Sequence, residues 1–287
     1  MMNRRSCWAV GVILGGLLLP PQAAAANRQQ MQKAVEGVTI KDRLGTYIPL
    51  QLPFTDHLGN KVTLKKYFGD KPVLLTLNYY RCKTLCNVQL NQVVKGLKGL
   101  DWKPGKNYRI VTVSIDPRES PTLAREKRAS YLKSYGQGEV DWTFLVGKQQ
   151  DITRLANAVG FHYKYDKKHD QYIHVPAIFF LSGSGRLTRY LHGLKYPSRS
   201  LKFALMEASE GKIGTVSDKL FMSCFHYDPE TGTYSASAFG IMRLAASGFA
   251  VLLGLTLILL WALDRFVWSK KSDDDVPDDA DEKKVAS

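Results

Sequence analysis

Cysteine is scarce in this chain, four in 287 residues, and Cys7 falls in a leading segment that reads as discarded. The three that remain, Cys82, Cys86 and Cys224, cannot staple a scaffold in pairs, which excludes a disulfide-framed secreted fold. A body of about 170 residues buries enough surface to fold without bridges, so these cysteines are available for chemistry. Acidic residues are also in deficit, 26 against 40 basic, for a net charge of +14. No compact basic run is interleaved with aromatics, so the usual footprint of a nucleic-acid binder is missing. The positive balance suits instead a body held beside an anionic lipid surface. There is no internal repeat. Gly183-Ser184-Gly185 lacks the third glycine of a nucleotide loop and joins two strand-like runs, so it reads as a turn.

Long apolar runs are confined to the two ends. At the N-terminus, basic Arg4 and Arg5 precede an apolar stretch from Trp8 to Leu19, and Ala23 to Ala26 offer a small-residue cleavage site. This is the layout of an export signal spanning residues 1–26. A retained anchor would need a longer stretch than one ending at Pro20-Pro21, and Cys7 lacks the surroundings of a lipoprotein cysteine. Near the C-terminus, Leu244 to Leu263 contains no charge; at 1.5 Å per residue its length matches a hydrocarbon core of about 30 Å. Trp261 and Trp268 stand as interfacial anchors. Arg243 precedes the segment, while Arg265, Lys270 and Lys271 follow it, an excess that places the C-terminus in the cytoplasm. The expected order is a polar, loosely ordered lead-in over 27–45, a folded domain over 46–212, a juxtamembrane segment over 213–242, a transmembrane helix over 243–264 and an acidic cytoplasmic tail over 265–287. The body would then sit in the periplasm, on the outer side of the cytoplasmic membrane.

Within the body, the alternation around Pro49 to Phe54, a turn at Asp56-His57-Leu58-Gly59-Asn60 and a second short run from Lys61 to Leu64 predict an N-terminal hairpin. Pro72 to Tyr79 is a near-continuous apolar run, the mark of a central strand covered on both faces. Leu85, Val88, Leu90, Val93, Val94 and Leu97 then recur at helical spacing. A second buried strand runs from Tyr108 to Ile115. Ser120 followed by Pro121 opens a helix to Tyr135. A strand over Trp142 to Val146, a helix over Asp151 to Val159 and a short strand at Phe161-His162-Tyr163 come next. A hairpin over Ala177 to Leu191 and a closing helix over Leu201 to Glu210 complete the order. Strands alternating with helices and ending in a hairpin and helix give an α/β layered domain with a thioredoxin-like order.

Cys82 and Cys86, four apart, then occupy the junction between the central strand and the first helix. Helix-terminal amides and the positive end of the helix dipole stabilise a thiolate there. The spacing lets the sulfurs pair as a disulfide or grip one soft ion, and a purely structural pair is the plainer alternative. Of the six histidines, His174 is best placed to join them, just before the strand expected to neighbour the cysteine strand. His57, His162, His169 and His192 read as surface or hydrogen-bonded core residues. Cys224 and His226 flank Phe225 beside the apolar C-terminal segment, where alternation would point both side chains to one face. They form a weak second pair of soft ligands or, more plainly, a packing thiol and an interfacial ring.

Three features together resemble the Sco/SenC family of copper-binding cytochrome oxidase assembly proteins: Cys82 and Cys86 as its C-x-x-x-C, Val113-Ser114-Ile115-Asp116-Pro117 as its Ser-x-Asp-Pro segment, and His174 as its distal histidine. The resemblance covers about residues 45 to 205. It implies a thioredoxin-like domain that binds copper, as Cu(I) or Cu(II), on Cys82, Cys86 and His174. Asp116 matches a conserved acid near the site, although it could equally cap a helix or close a turn. The implied function is that of a copper chaperone, not an enzyme. Its implied partners are the copper-bearing subunit of a respiratory oxidase and an upstream copper donor or thioredoxin-like reductant, with the membrane beside it and no nucleic acid. Two departures stand out: Asn87 replaces the proline usual after the second cysteine, and Ile173-His174-Val175-Pro176 replaces the usual Asp-His-Ser. Both favour the alternative, a thiol-disulfide reductase that keeps the oxidase's copper-ligand cysteines reduced. There Cys82, taken to lie nearer solvent, attacks and Cys86 resolves. A peroxidase would need Thr or Ser and Arg around one cysteine, and no such set can be assembled.

Overall fold

The computed structural model describes residues 35–82, 85–138, 140–210, 217, 222, 224–228 and 233–273; the side chains at 85, 86 and 264–273 lie outside that description. The expected export signal, the break after the closing helix at 211–214 and the acidic tail from residue 274 onward therefore fall outside the described residues. The chain divides into two compact units, one reaching Ser209 and one beginning at Glu210.

The first unit runs through β1 (Thr39–Ile40), β2 (Pro53–Asp56), β3 (Lys61–Thr63), a 3-10 turn at Leu64–Tyr67, β4 (Val73–Asn78), α1 (Leu85–Lys98), β5 (Arg109–Ser114) and α2 (Pro121–Tyr135). It continues through β6 (Trp142–Val146), α3 (Gln149–Ala158), β7 (Phe161–His162), β8 (Lys164–Asp166), β9 (Gln171–Ile173), β10 (Ala177–Leu181), β11 (Leu187–His192) and α4 (Ser198–Ala208). Seven strands form one sheet in the order β11-β10-β4-β5-β6-β2-β3. The middle three, β4, β5 and β6, are parallel, and the flanking pairings are antiparallel. All six residues of β4 are buried, which is why its sequence reads as near-continuously apolar rather than alternating. A polar stitch crosses these strands: Thr76 donates to the Thr112 hydroxyl at 2.8 Å and Trp142 Nε1 donates to the same oxygen at 2.9 Å. Helices α1 and α2 pack on each other, α1 packs on α4, and α4 covers β10 and β11.

The expected α/β thioredoxin-like order is present, N-terminal hairpin included. Ser120 caps α2, its hydroxyl accepting from the Leu123 amide at 3.3 Å, with Pro121 in the first turn. Helix α4 begins at Ser198, three residues before the expected start. Two differences matter more. The described part of the lead-in, from residue 35, is tied down: β1 pairs with β7, and the Gly45 amide donates to the Leu187 carbonyl at 2.7 Å. Backbone pairing on an exposed edge needs no apolar pattern, so the polar composition hid it. An unexpected short hairpin, β8 with β9, also precedes His174.

The second unit holds a hairpin of β12 (Phe225–Asp228) and β13 (Thr233–Ala236), followed by α5 (Ala238–Asp273). Ser237 opens α5, its hydroxyl accepting from the Gly240 amide at 3.2 Å. Over Ala238–Leu263 the helix is 26 residues long with a mean hydropathy of 2.2, long and apolar enough to cross a membrane. Its large side chains, among them Phe249, Leu252, Ile258 and Trp261, are exposed. The helix begins before the segment expected for the span and continues beyond it.

Candidate metal centre

Where parallel strands form the core of an α/β sheet, ligand sites gather beyond their carboxyl ends. Here β4 and β5 end in register at Asn78 and Ser114, and the segments that follow them carry Cys82 and Asp116. The β4–α1 segment puts Cys82 four residues past the strand, and Cys86 is the second residue of α1. The Cys86 side chain lies outside the described residues. Cys82 is buried, 4% exposed, and so does not have the solvent-facing position assigned to it in the reductase alternative. Asn87 fixes it from below: its Nδ2 donates to the Cys82 carbonyl at 2.9 Å, while its Oδ1 accepts from the Tyr131 hydroxyl at 3.0 Å.

His174 lies between β9 and β10, and β10 is hydrogen-bonded directly to the cysteine strand β4. Its ring is half-buried and rests against Phe161, centroids 5.4 Å apart. Nδ1 donates to the Val175 carbonyl at 3.2 Å, which leaves the lone pair on Nε2. Burial lowers the pKa of His174; the bond to Val175 and the charge of Cys82 oppose this without overcoming it. Burial thus disfavours the charged ring, and the neutral form is the one that ligates metal; the ring lies within electrostatic reach of Cys82. A buried sulfur within electrostatic reach of an imidazole is a soft donor pair suited to copper. The peptide bond before Pro176 is trans, since there is no cis bond among the described residues.

Asp116 is 1% exposed and faces Arg118. It accepts from the Arg118 amide at 2.9 Å, and from Nε and Nη2 at 2.8 Å each. Burial alone would raise its pKa, but the hydrogen bonds and charge of Arg118 hold it below the usual carboxylate range. Asp116 closes a turn, and the Tyr172 hydroxyl, two residues before His174, approaches its Oδ1 at 3.5 Å. Tyr172 packs on Tyr79 at 5.4 Å, so an aromatic wall joins the cysteine strand to the histidine arm.

Sequence reasoning missed two residues. Glu119, 6% exposed, accepts from the amides of Tyr80 at 2.8 Å and Arg81 at 2.7 Å and from the Ser114 hydroxyl at 2.6 Å. Burial nevertheless raises its pKa. Gln89, buried on α1 one turn after Cys86, accepts from Asn78 Nδ2 at 2.9 Å. The signal for Glu119 was its place: an acid directly before a helix cap, in a loop leaving a buried strand. Cys224 is half-buried and His226 exposed, in the second unit. Among the described residues no group of three His, Cys, Asp or Glu side chains could hold a metal ion; a set that includes Cys86 lies outside them.

Comparison with known proteins follows the same ground. The family model described as SCO1/SenC matches residues 46–205, more than half of the chain. A protein of Aquifex aeolicus VF5 described as a candidate electron transfer protein is similar at 26% identity and a TM-score of 0.51, over 59% of this chain and 96% of that one. Arabidopsis thaliana ScoI, solved with copper bound, aligns at 17% identity and a TM-score of 0.46, over 59% of this chain and 99% of that one. The Sco protein BsSco, described as a cytochrome c oxidase assembly protein with a disulfide switch, aligns at 21% identity and a TM-score of 0.48, over 60% and 99%. No curated protein matches the chain.

Proposed function

This chain belongs to the SCO1/SenC family, and from that premise we propose that it is a membrane-anchored copper chaperone. It holds one copper ion as cargo on Cys82, Cys86 and His174 and delivers it to the copper centre of a respiratory cytochrome c oxidase. The observation that carries this reading is the burial of Cys82 within electrostatic reach of His174, whose Nδ1 is already engaged. Two sulfurs favour Cu(I), and the added imidazole lets the same set accept Cu(II). Both sulfurs must be reduced to ligate, so a disulfide between them empties the site and a thioredoxin-like reductant reopens it by supplying two electrons and two protons. An upstream copper donor then loads it. Asp116 and Tyr172 support the histidine arm without touching the cargo.

The helix Ala238–Leu263 supports a single-pass anchor. Arg265, Lys270 and Lys271, which follow it in the sequence, favour a cytoplasmic C-terminus and a periplasmic body. Thiol exchange with the oxidase's cysteines fits less well, because an attacking thiolate needs access and Cys82 is 4% exposed.

The test is a Cu(I) titration of the reduced full chain in detergent against a competing chelator, alongside His174→Ala. One-to-one binding that weakens by about tenfold or more without the imidazole supports the chaperone, by analogy with the effect of disturbing a ligand's support. Weak binding indifferent to His174 overturns it and leaves a dithiol reductase.

A further inference from the structure

Between β5 and α2, residues 116 to 119 reach both arms of the site at once. On one side, the Glu119 carboxylate spans the consecutive amides of Tyr80 and Arg81, at 2.8 and 2.7 Å. Those residues immediately precede Cys82, in a stretch that has left the sheet after Asn78. The Ser114 hydroxyl, donating at 2.6 Å, fixes the carboxylate in turn. On the other side, Asp116 orients Arg118 through Nε and Nη2, at 2.8 Å each. Arg118 Nη1 then donates to Asp170 at 2.8 Å and to the Tyr165 hydroxyl at 3.2 Å. The guanidinium also lies 5.1 Å from the centre of the Tyr165 ring. Tyr165 lies on β8 and Asp170 in the turn leading to β9, and β9 ends at Ile173, directly before His174.

We propose that residues 116–119 form a clasp in which Glu119 positions Cys82 and the Asp116–Arg118 pair positions His174, setting how the sulfur and the imidazole face each other. This rests on Cys82 and His174 acting as the copper ligands. Glu119 and Arg118 are positioning residues, since neither touches the cargo. A carboxylate is the group the first half requires. Two adjacent amides need two acceptor atoms held apart by one rigid plane, and Gln would turn a donor toward one of them. The second half requires a planar fork that can engage Asp116 and Asp170 together, which Arg provides and Lys does not.

The experiment compares full chains in detergent: wild type, Glu119→Gln, Glu119→Asp and Arg118→Lys. Two readouts are taken. The first is the alkylation rate of Cys82 in the reduced, copper-free protein, followed by peptide mass spectrometry. The second is the Cu(II) complex, read by its sulfur charge-transfer band and its nitrogen hyperfine signal. Glu119→Gln is expected to raise the alkylation rate by about tenfold, the effect of losing roughly one hydrogen bond from the segment that buries the thiol, and to shift the sulfur band. Should Glu119→Gln not accumulate, Glu119→Asp keeps the charge but is too short to span both amides, and it is read the same way. Arg118→Lys is expected to leave alkylation within about twofold, because the Glu119 contacts stay intact, while weakening the nitrogen signal. A lowered melting temperature with wild-type alkylation and wild-type spectra would make these residues merely structural and overturn the clasp. If the wild type takes up no copper, the chaperone reading fails, while the alkylation rates still decide the Glu119 half.

Discussion

Gln89 donates from Nε2 to the Ala177 carbonyl at 2.8 Å, tying the helix that carries Cys86 to the strand that follows His174. Its Oε1 accepts from Asn78 Nδ2 at 2.9 Å, at the end of the strand leading to Cys82. One buried amide thus joins the three segments that carry Cys82, Cys86 and His174 in the sequence. The Tyr196 hydroxyl completes it, 3.1 Å from Nε2. An amide suits this place because it must donate to a carbonyl and accept from an amide at once, and neither carboxylate nor hydroxyl does both with the same reach.

Gln89→Ala is expected to cost about 2–4 kcal/mol of stability, since it leaves buried polar partners without hydrogen bonds at about 1–3 kcal/mol each. Denaturant unfolding with an unchanged slope would show that the loss comes from the native state. A loss below about 0.5 kcal/mol, the range of ordinary surface substitutions, would show that water replaces the amide and that the tie is dispensable.

Asn87 stands where the family resemblance expects proline. Its side chain holds the Cys82 carbonyl and the Tyr131 hydroxyl. As the third residue of α1 it tolerates proline, because first-turn amides have no partner within the helix. Asn87→Pro is expected to keep the helical content measured by circular dichroism and to lose about 1–2 kcal/mol from the two hydrogen bonds. A collapse of helical signal would mean that Asn87 lies inside the helix in solution, with its amide bonded within α1 rather than in an unpartnered first turn.

The acid limb of stability follows from Asp116. Its folded pKa lies below the unfolded value of 3.8: burial opposes the shift, and Arg118 outweighs burial. A depressed carboxylate stabilises the fold fully above its unfolded pKa, and that contribution is lost as pH falls through the lower folded value. Unfolding midpoints of wild type and Asp116→Asn are therefore expected to differ by a constant amount from about pH 5 to about pH 7 and to converge below about pH 4. A gap that widens on acidification would have the wrong sign for this carboxylate.

How much of this could be read from the residues depends on what holds each element. Strand β4 was legible because burial on both faces forces a run from Val73 to Leu77 that is apolar except at Thr76, and α2 because Ser120 and Pro121 mark its start. Hairpin β8–β9 was not. Its strands have three residues each, too few for a period to stand out; cross-strand pairing with the Tyr165–Tyr172 contact and the Arg118 bridge hold it. Cys82 and His174 were recognisable by type and place. Glu119 was marked only by its place before the helix cap, and Gln89 not at all, because they serve groups of segments distant in sequence, and such service leaves no period in the chain. The lead-in was misjudged for a related reason, since β1 is held by backbone bonds to β7 that any composition can make.

Gly183 and Gly193 separate steric from conformational demands at the two ends of β11. A Cβ at Gly183 would sit 2.0 Å from the Gly69 carbonyl oxygen, and that oxygen belongs to the rigid backbone leading into β4. The Gly69 amide also donates to the Gly183 carbonyl at 2.9 Å, so the two chains cannot part without losing that bond. Gly193 has φ of +80° with nothing within 4 Å of an added Cβ. Gly193→Ala then carries only left-handed strain, about 1–2 kcal/mol. Gly183→Ala must push the β10–β11 turn away from the start of the cysteine strand, and overpacking of this kind costs about 1–3 kcal/mol or more on top of the lost hydrogen bond. The expected order is wild type, then Gly193→Ala, then Gly183→Ala, measured as denaturant midpoints. A Gly183→Ala variant as stable as Gly193→Ala would show that the turn yields freely and that the Gly69 contact does not anchor β4.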